Sequence, residues 1–231
     1  MGRMRKNSTL VSDVYSKLLL ELNEAVIHLH KEGGSTDNPE QIEIYWAAAK
    51  NPSLRTICEV GFNAGHSALL WLTASPNAKV VMFDLFKHVA SPAGERVLRK
   101  YYNERLTIYK GASVRGLAQA FDDGVRCDLF SVDGSHHYPH AVLDVIASYF
   151  MTTTNASVFV DDTNCRSFFC VDDVIRLAKG ALPMKILHRW QFPPTKGFER
   201  GLTEFRYVHS TPKSERSDAA TWNLQASHKK I

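Results

Sequence analysis

Hydrophobic positions in the first fifty residues recur at helical spacing. From residue 8 to residue 30, Leu10, Val14, Leu18, Leu22, Ala25, Ile27 and Leu29 follow a helical period, and Gly33-Gly34 ends the run. A second helix is predicted from Pro39 to about Lys50. Then the period changes. RTICEV (55–60), KVVMFD (79–84), LTIYK (106–110), CDLFSVD (127–133) and ASVFVDD (156–162) are short, apolar and rich in β-branched or aromatic residues, which predicts five strands. Helical patterns lie between and after them, at 67–74, 93–102, 113–121, 139–150 and 171–179. Strands apolar on both faces and alternating with helices predict an α/β fold: a Rossmann-like, doubly wound, mostly parallel sheet with helices on both faces. MKILHRW (184–190) and LTEFRYV (202–208) bring the sheet to seven strands. QFPPTKGFERG joins them as an antiparallel excursion, so the last strand is expected to be antiparallel. Trp190, Phe192 and Phe198 in this region either serve a lid or pack beneath the last two strands.

The 231 residues suffice for one core, and no internal repeat divides them. The expected organisation is an N-terminal helical cap or lid at 1–50, a core at 51–209, and a polar, aperiodic, disordered tail at 210–231. The long first helix can also serve a homo-oligomer contact. No stretch approaches the 18 apolar residues of a membrane span, and MGRMRKN is followed by no apolar segment of a secretory signal. The formal charge of +4 sits at the ends: Arg3, Arg5 and Lys6 at the start and the residues from 211 onward together carry +5, leaving about −1 for the body. A basic groove for nucleic acid is therefore not expected. Cys58, Cys127, Cys165 and Cys170 form no CxxC pair and no zinc spacing. Cys58 and Cys127 read as small buried hydrophobes, in keeping with a cytoplasmic protein.

In a doubly wound sheet, ligands sit beyond the carboxyl ends of the strands. The first strand runs into Glu59-Val60-Gly61-Phe62-Asn63-Ala64-Gly65-His66-Ser67. Its glycines allow a tight turn and close approach of a ligand, and the following helix offers free amides and the positive end of its dipole. A plain strand–helix turn would look similar. A dinucleotide site would want glycine at position 63 to admit a pyrophosphate, and Asn63 stands there. The second strand ends at Asp84, where a carboxylate can accept ribose hydroxyls or simply be solvated. Phe83, Leu85 and Phe86 beside it are either an adenine sandwich or core.

The fourth strand ends in Asp133-Gly134-Ser135-His136-His137 and the fifth in Asp161-Asp162-Thr163-Asn164. Three carboxylates at one sheet edge repel unless a cation neutralises them, and oxygen ligands select Mg²⁺, Mn²⁺ or Ca²⁺. Helix capping is the plainer account of an Asp pair after a strand. Asp133, His136 and His140 are spaced to share one face, but zinc is disfavoured because their neighbours are carboxylates rather than His or Cys. His137 reads as a surface residue.

The ordered set E-V-G-F-N-A-G-H-S, an acidic end to strand two, K-G-A-S, and D-G-S-H followed by D-D resembles the metal-dependent class I O-methyltransferases. Catechol O-methyltransferase is similar in its glycine turn, G-A-S loop and order of metal positions, and D-G-S-H with D-D is closer to macrocin-type sugar O-methyltransferases. The likeness spans roughly residues 40 to 180. It implies transfer of a methyl group from S-adenosylmethionine to a small-molecule hydroxyl, of a sugar, phenol or catechol, held by a divalent cation. Glu59, Gly61, Asn63 and Ser67 would line the methionine end of the cofactor, with Asp133 close by, and Asp84 would hold the ribose. Gly111, Ala112 and Ser113 would border the adenine. Asp133, Asp161 and Asp162 would bind the metal, and His136 would be the general base. The chain lacks the auxiliary domain of macrocin-type enzymes and has Asp162 where the catechol type has Asn, which leaves the acceptor open.

Three other readings compete. A nicotinamide-dependent oxidoreductase is disfavoured by Asn63 and by the lack of a Tyr-x-x-x-Lys pair. A non-catalytic methyltransferase-like binding module would be expected to lose the Asp133, His136, Asp161 and Asp162 set. A metal-dependent hydroxylase would want a 2-His-1-carboxylate triad, and none stands out.

Overall fold

The computed structural model describes residues 12–29, 38–166, 170–195 and 198–208. Along them run α1 (Asp13–Val26), α2 (Pro39–Ala49), β1 (Thr56–Val60), α3 (His66–Ala74), β2 (Lys79–Asp84), α4 (Ser91–Tyr102), β3 (Leu106–Lys110) and α5 (Ser113–Asp122). They continue with β4 (Cys127–Val132), α6 (Tyr138–Met151), β5 (Thr152–Asp161), α7 (Asp172–Ala181), β6 (Met184–Thr195) and β7 (Phe198–Tyr207). The seven strands form one sheet in the order β3-β2-β1-β4-β5-β7-β6. Strands β1 to β5 pair in parallel, and β7 is antiparallel to both of its neighbours. The expected α/β sheet with an antiparallel last strand is what the chain forms.

Alternation along each strand divides the core in two. Ile57, Val80, Met82, Leu129 and Phe159 face α1–α4, while Cys58, Val81, Phe83, Phe130 and Val158 face α5–α7. Helices cover both faces because both are apolar. The N-terminal helices share the first layer: Leu18 and Leu22 of α1 and Tyr45 and Trp46 of α2 pack in one cluster with Leu69 and Trp71 of α3. The buried stripe of α1 is Tyr15, Leu18, Leu22 and Val26, so Val14 and Ile27, expected on the apolar face, lie exposed. Tyr15 explains the shift, because its ring meets Trp46 edge-on at 5.4 Å and turns the helix toward α2.

Two strands are longer than their apolar runs. β5 begins at Thr152, four residues before the apolar stretch, and a register shift against β4 accommodates the added polar residues. β6 continues through Pro193 and Pro194 rather than ending in a loop. It is an edge strand, where a missing N–H removes no ladder bond from the sheet's interior. Cys58 and Cys127, expected as separate buried thiols, are joined across β1 and β4, and Cys165 is joined to Cys170. Strand adjacency, which a separation of 69 residues conceals, brings the first pair together. The segment 210–231 and the side chain of Phe198 lie outside what is described. Among the described residues no helix is long and apolar enough to cross a membrane.

Candidate active site

At the carboxyl end of β1 the chain turns sharply. Gly61 has φ +104°, and a Cβ there would run into the carbonyl of Asp133 at the end of neighbouring β4. Asn63 follows at φ 46°, a left-handed conformation that Asn tolerates better than most residues. Asp84, at the end of β2, holds this turn. Its Oδ2 accepts from the amides of Phe62 (2.7 Å) and Asn63 (3.2 Å), and its Oδ1 from the amide of Phe86 (2.5 Å). A carboxylate has about four acceptor positions, so three backbone bonds leave one for a further donor. The side chain expected to hold a ribose thus first organises the glycine turn.

Glu59 is fully buried beneath the turn, where the Ser67 hydroxyl donates to its Oε2 at 2.6 Å. Burial, opposed by that hydrogen bond, raises its carboxyl from 4.5 to about 8, so it carries its proton at neutral pH. Glu59 and Ser67 therefore stand behind the turn. Gly111 and Ala112 lie at the end of β3 and border a shallow depression with Tyr109 and Arg115. Ser113, first residue of α5, donates to Asp144 of α6 at 2.6 Å. Of the apolar side chains flanking Asp84, Phe83 is core and stacks on Tyr109 at 5.3 Å, Phe86 stacks on Phe62 at 5.9 Å, and Leu85 is exposed.

On the other side of the turn, Asp133, Asp161 and Asp162 converge, each offering an oxygen within 4.8 Å of the others. Asp133 is half-buried and the other two are buried. Parallel pairing of β4 with β5 dictates this, because strands in register end at the same edge. Asp162 adopts φ 51°, which carries the chain out of the sheet. Asp161 Oδ1 accepts from the Asp162 amide (2.9 Å) and its Oδ2 from Gln41 Nε2 of α2 (2.8 Å). His136 Nε2 stands 2.9 Å from Asp162 Oδ2. Asp162 Oδ1 is buried and has no hydrogen-bond partner among the described residues. Burial first, then the neighbouring carboxylates, pushes Asp133 well above the usual carboxylate range and Asp161 up to about 7, with Arg200 of β7 pulling both back.

Residues 58–163, under half of the chain, match the methyltransferase-domain family. The O-methyltransferase TomG from Streptomyces achromogenes, involved in tomaymycin synthesis and solved with SAM, is 18% identical and superposes with a TM-score of 0.65 over 89% of this chain and all of that one. An O-methyltransferase from Bacillus cereus in complex with SAH gives 17% and 0.63, over 86% and 93% of the two chains. Cofactor-bound Rv0187 from MTB gives 16% and 0.68, over 88% and 94%. No curated protein matches the sequence. The fold is that of a methyltransferase.

In this methyltransferase fold the expected residues divide into groups. Asp133, Asp161, Asp162 and His136 come together. Gly61, Asn63 and Asp84 form one turn beside them, Glu59 and Ser67 pair beneath it, and Gly111, Ala112 and Ser113 lie at the β3 edge. His137 and His140 are exposed and stand outside the acidic group. Gln41 and Arg200 belong to no motif, and nothing around either in the chain marks it. Gln41 reaches Asp161 across 120 residues, and Arg200 arrives on a hairpin strand.

Proposed function

We propose that the chain is an S-adenosylmethionine-dependent O-methyltransferase whose small-molecule acceptor hydroxyl lies beside a divalent cation. The observation that carries this reading is the convergence of Asp133, Asp161 and Asp162 next to the glycine turn, with Asp162 Oδ1 buried and unpartnered among the described residues. An orphaned carboxylate oxygen is expensive to bury, and a hard cation is a partner that one oxygen from each of three carboxylates fits. Asn63 in place of a pyrophosphate glycine, together with the methyltransferase fold, supports a sulfonium cofactor over a dinucleotide.

When bound, the cofactor supplies an activated methyl group and the cation supplies a positive charge that acidifies the acceptor hydroxyl. The chain's own residues do the rest. The backbone at Gly61 and Asn63, with the remaining acceptor position of Asp84, binds and orients the cofactor. Asp133, Asp161 and Asp162 would hold the cation, which would place its charge beside the acceptor hydroxyl. His136, held by Asp162 Oδ2 at its Nε2, takes the acceptor's proton.

Thermal unfolding with added ligands tests the cofactor half of this reading. S-adenosylhomocysteine should raise the melting temperature while NAD and NADP leave it unchanged. Stabilisation by NAD with none from S-adenosylhomocysteine would point instead to an oxidoreductase.

A further inference from the structure

Helix α2 contributes one polar side chain to the carboxylate cluster. Asn38 caps the helix, its Oδ1 accepting from the amides of Glu40 (3.1 Å) and Gln41 (3.4 Å), and this sets where Gln41 points. Gln41 is 1% exposed. Its Nε2 donates to Asp161 Oδ2 at 2.8 Å and lies 3.3 Å from the hydroxyl of Tyr45. Tyr45 is itself locked, with its ring 4.7 Å from Trp71 and 5.5 Å from Phe159. The amide is therefore wedged between a fixed phenol and a carboxylate, with little freedom to turn away.

We infer that Gln41 is a positioning residue for the cation: it fixes the rotation of the Asp161 carboxylate so that both oxygens keep a lone pair toward Asp133 and Asp162. The inference rests on the reading of the three aspartates as a cation site. Each Asp161 oxygen receives one hydrogen bond from the chain, Oδ1 from the Asp162 amide and Oδ2 from Gln41. Two donors on opposite oxygens define the plane of the carboxylate, and either alone would let it swing. Partners of this kind typically contribute about 10–100-fold to metal affinity. The helix preceding the sheet is thus a working part of the site as well as a packing element.

The test is a titration of the full chain with Mn²⁺, following free Mn²⁺ by electron paramagnetic resonance, beside a calorimetric titration with S-adenosylhomocysteine. Gln41→Met keeps the side chain's length and removes the donor. It should lower Mn²⁺ affinity about 10–100-fold and leave S-adenosylhomocysteine affinity unchanged. Equal Mn²⁺ affinity in parent and variant would overturn the role of Gln41 and leave the cation site standing. Parallel loss of both affinities would show general loosening and also overturn it. Absence of Mn²⁺ binding by the parent would overturn the cation reading and this inference together. Should Gln41→Met fail to fold, Gln41→Asn keeps an amide but falls one methylene short of Asp161, and the same drop is expected.

Discussion

The ends of β2 and β5 both carry aspartates, and they are built to opposite effect. Asp84 is surrounded by donors: three backbone amides converge on one carboxylate. Around Asp133, Asp161 and Asp162 the balance is reversed, with Asp162 Oδ1 left without a partner among the described residues and two of the carboxyls raised by burial and mutual repulsion. The first corner is completed by its own chain and shapes a turn. The second keeps an oxygen without a partner among the described residues, which is where the proposed cation would bind. A carboxylate's position at a strand end is thus not enough to assign its role; the donors around it decide.

The largest effect that would sharpen this contrast is expected at His136, whose imidazole touches the incomplete corner. His136→Ala should lower kcat by about 10²–10⁴-fold, with cofactor and metal affinities little changed. Steady-state kinetics at saturating acceptor and Mg²⁺, run beside both binding titrations, make the check. Near-parental kcat would remove His136 as the base, and a fall in metal affinity alone would make it a ligand.

At the finished corner the effect should fall on stability. Asp84→Ala strips the acceptor from three amides and should destabilise the fold by about 1–3 kcal/mol, measured by denaturant unfolding without ligands. Asp84→Asn keeps one acceptor oxygen and should recover part of the loss. An unchanged unfolding midpoint for Asp84→Ala would mean that the turn does not depend on this carboxylate.

A further effect is a pH slope. Burial raises Glu59 from 4.5 to about 8, so the folded chain holds this proton more tightly than the unfolded chain. The associated stability is complete below about 4.5 and is lost as pH rises toward about 8. Glu59→Gln, which still accepts from Ser67, should make the fall in melting temperature between these limits shallower. An identical slope in parent and variant would show that Glu59 is not the group responsible.

Much of the fold was legible because the central strands β1, β2, β4 and β5 carry apolar residues on both faces. The carboxylate corner was legible for a related reason: parallel strands end at a common edge, so Asp133 and Asp161-Asp162 had to meet. The rest depends on contacts that no local pattern encodes. Nothing near Gln41 in the chain indicates that its amide reaches Asp161. Asp84 shows no sign in sequence of facing backward onto the Phe62 and Asn63 amides. The pairing of Cys58 with Cys127 needs the order of the strands, which periodicity alone does not supply. In α1 the choice between Val14 and Tyr15 as the inward residue turned on Trp46, in another helix.

The most direct test of the whole account is transfer of a labelled methyl group from S-adenosylmethionine to a panel of phenols, catechols and glycosides, with protein stripped by EDTA and then resupplied with Mg²⁺ or Mn²⁺. The account predicts product on at least one acceptor, lost on stripping and restored by the cation. Undiminished turnover after exhaustive chelation would contradict it and leave the three aspartates as a buried cluster with no metal to serve.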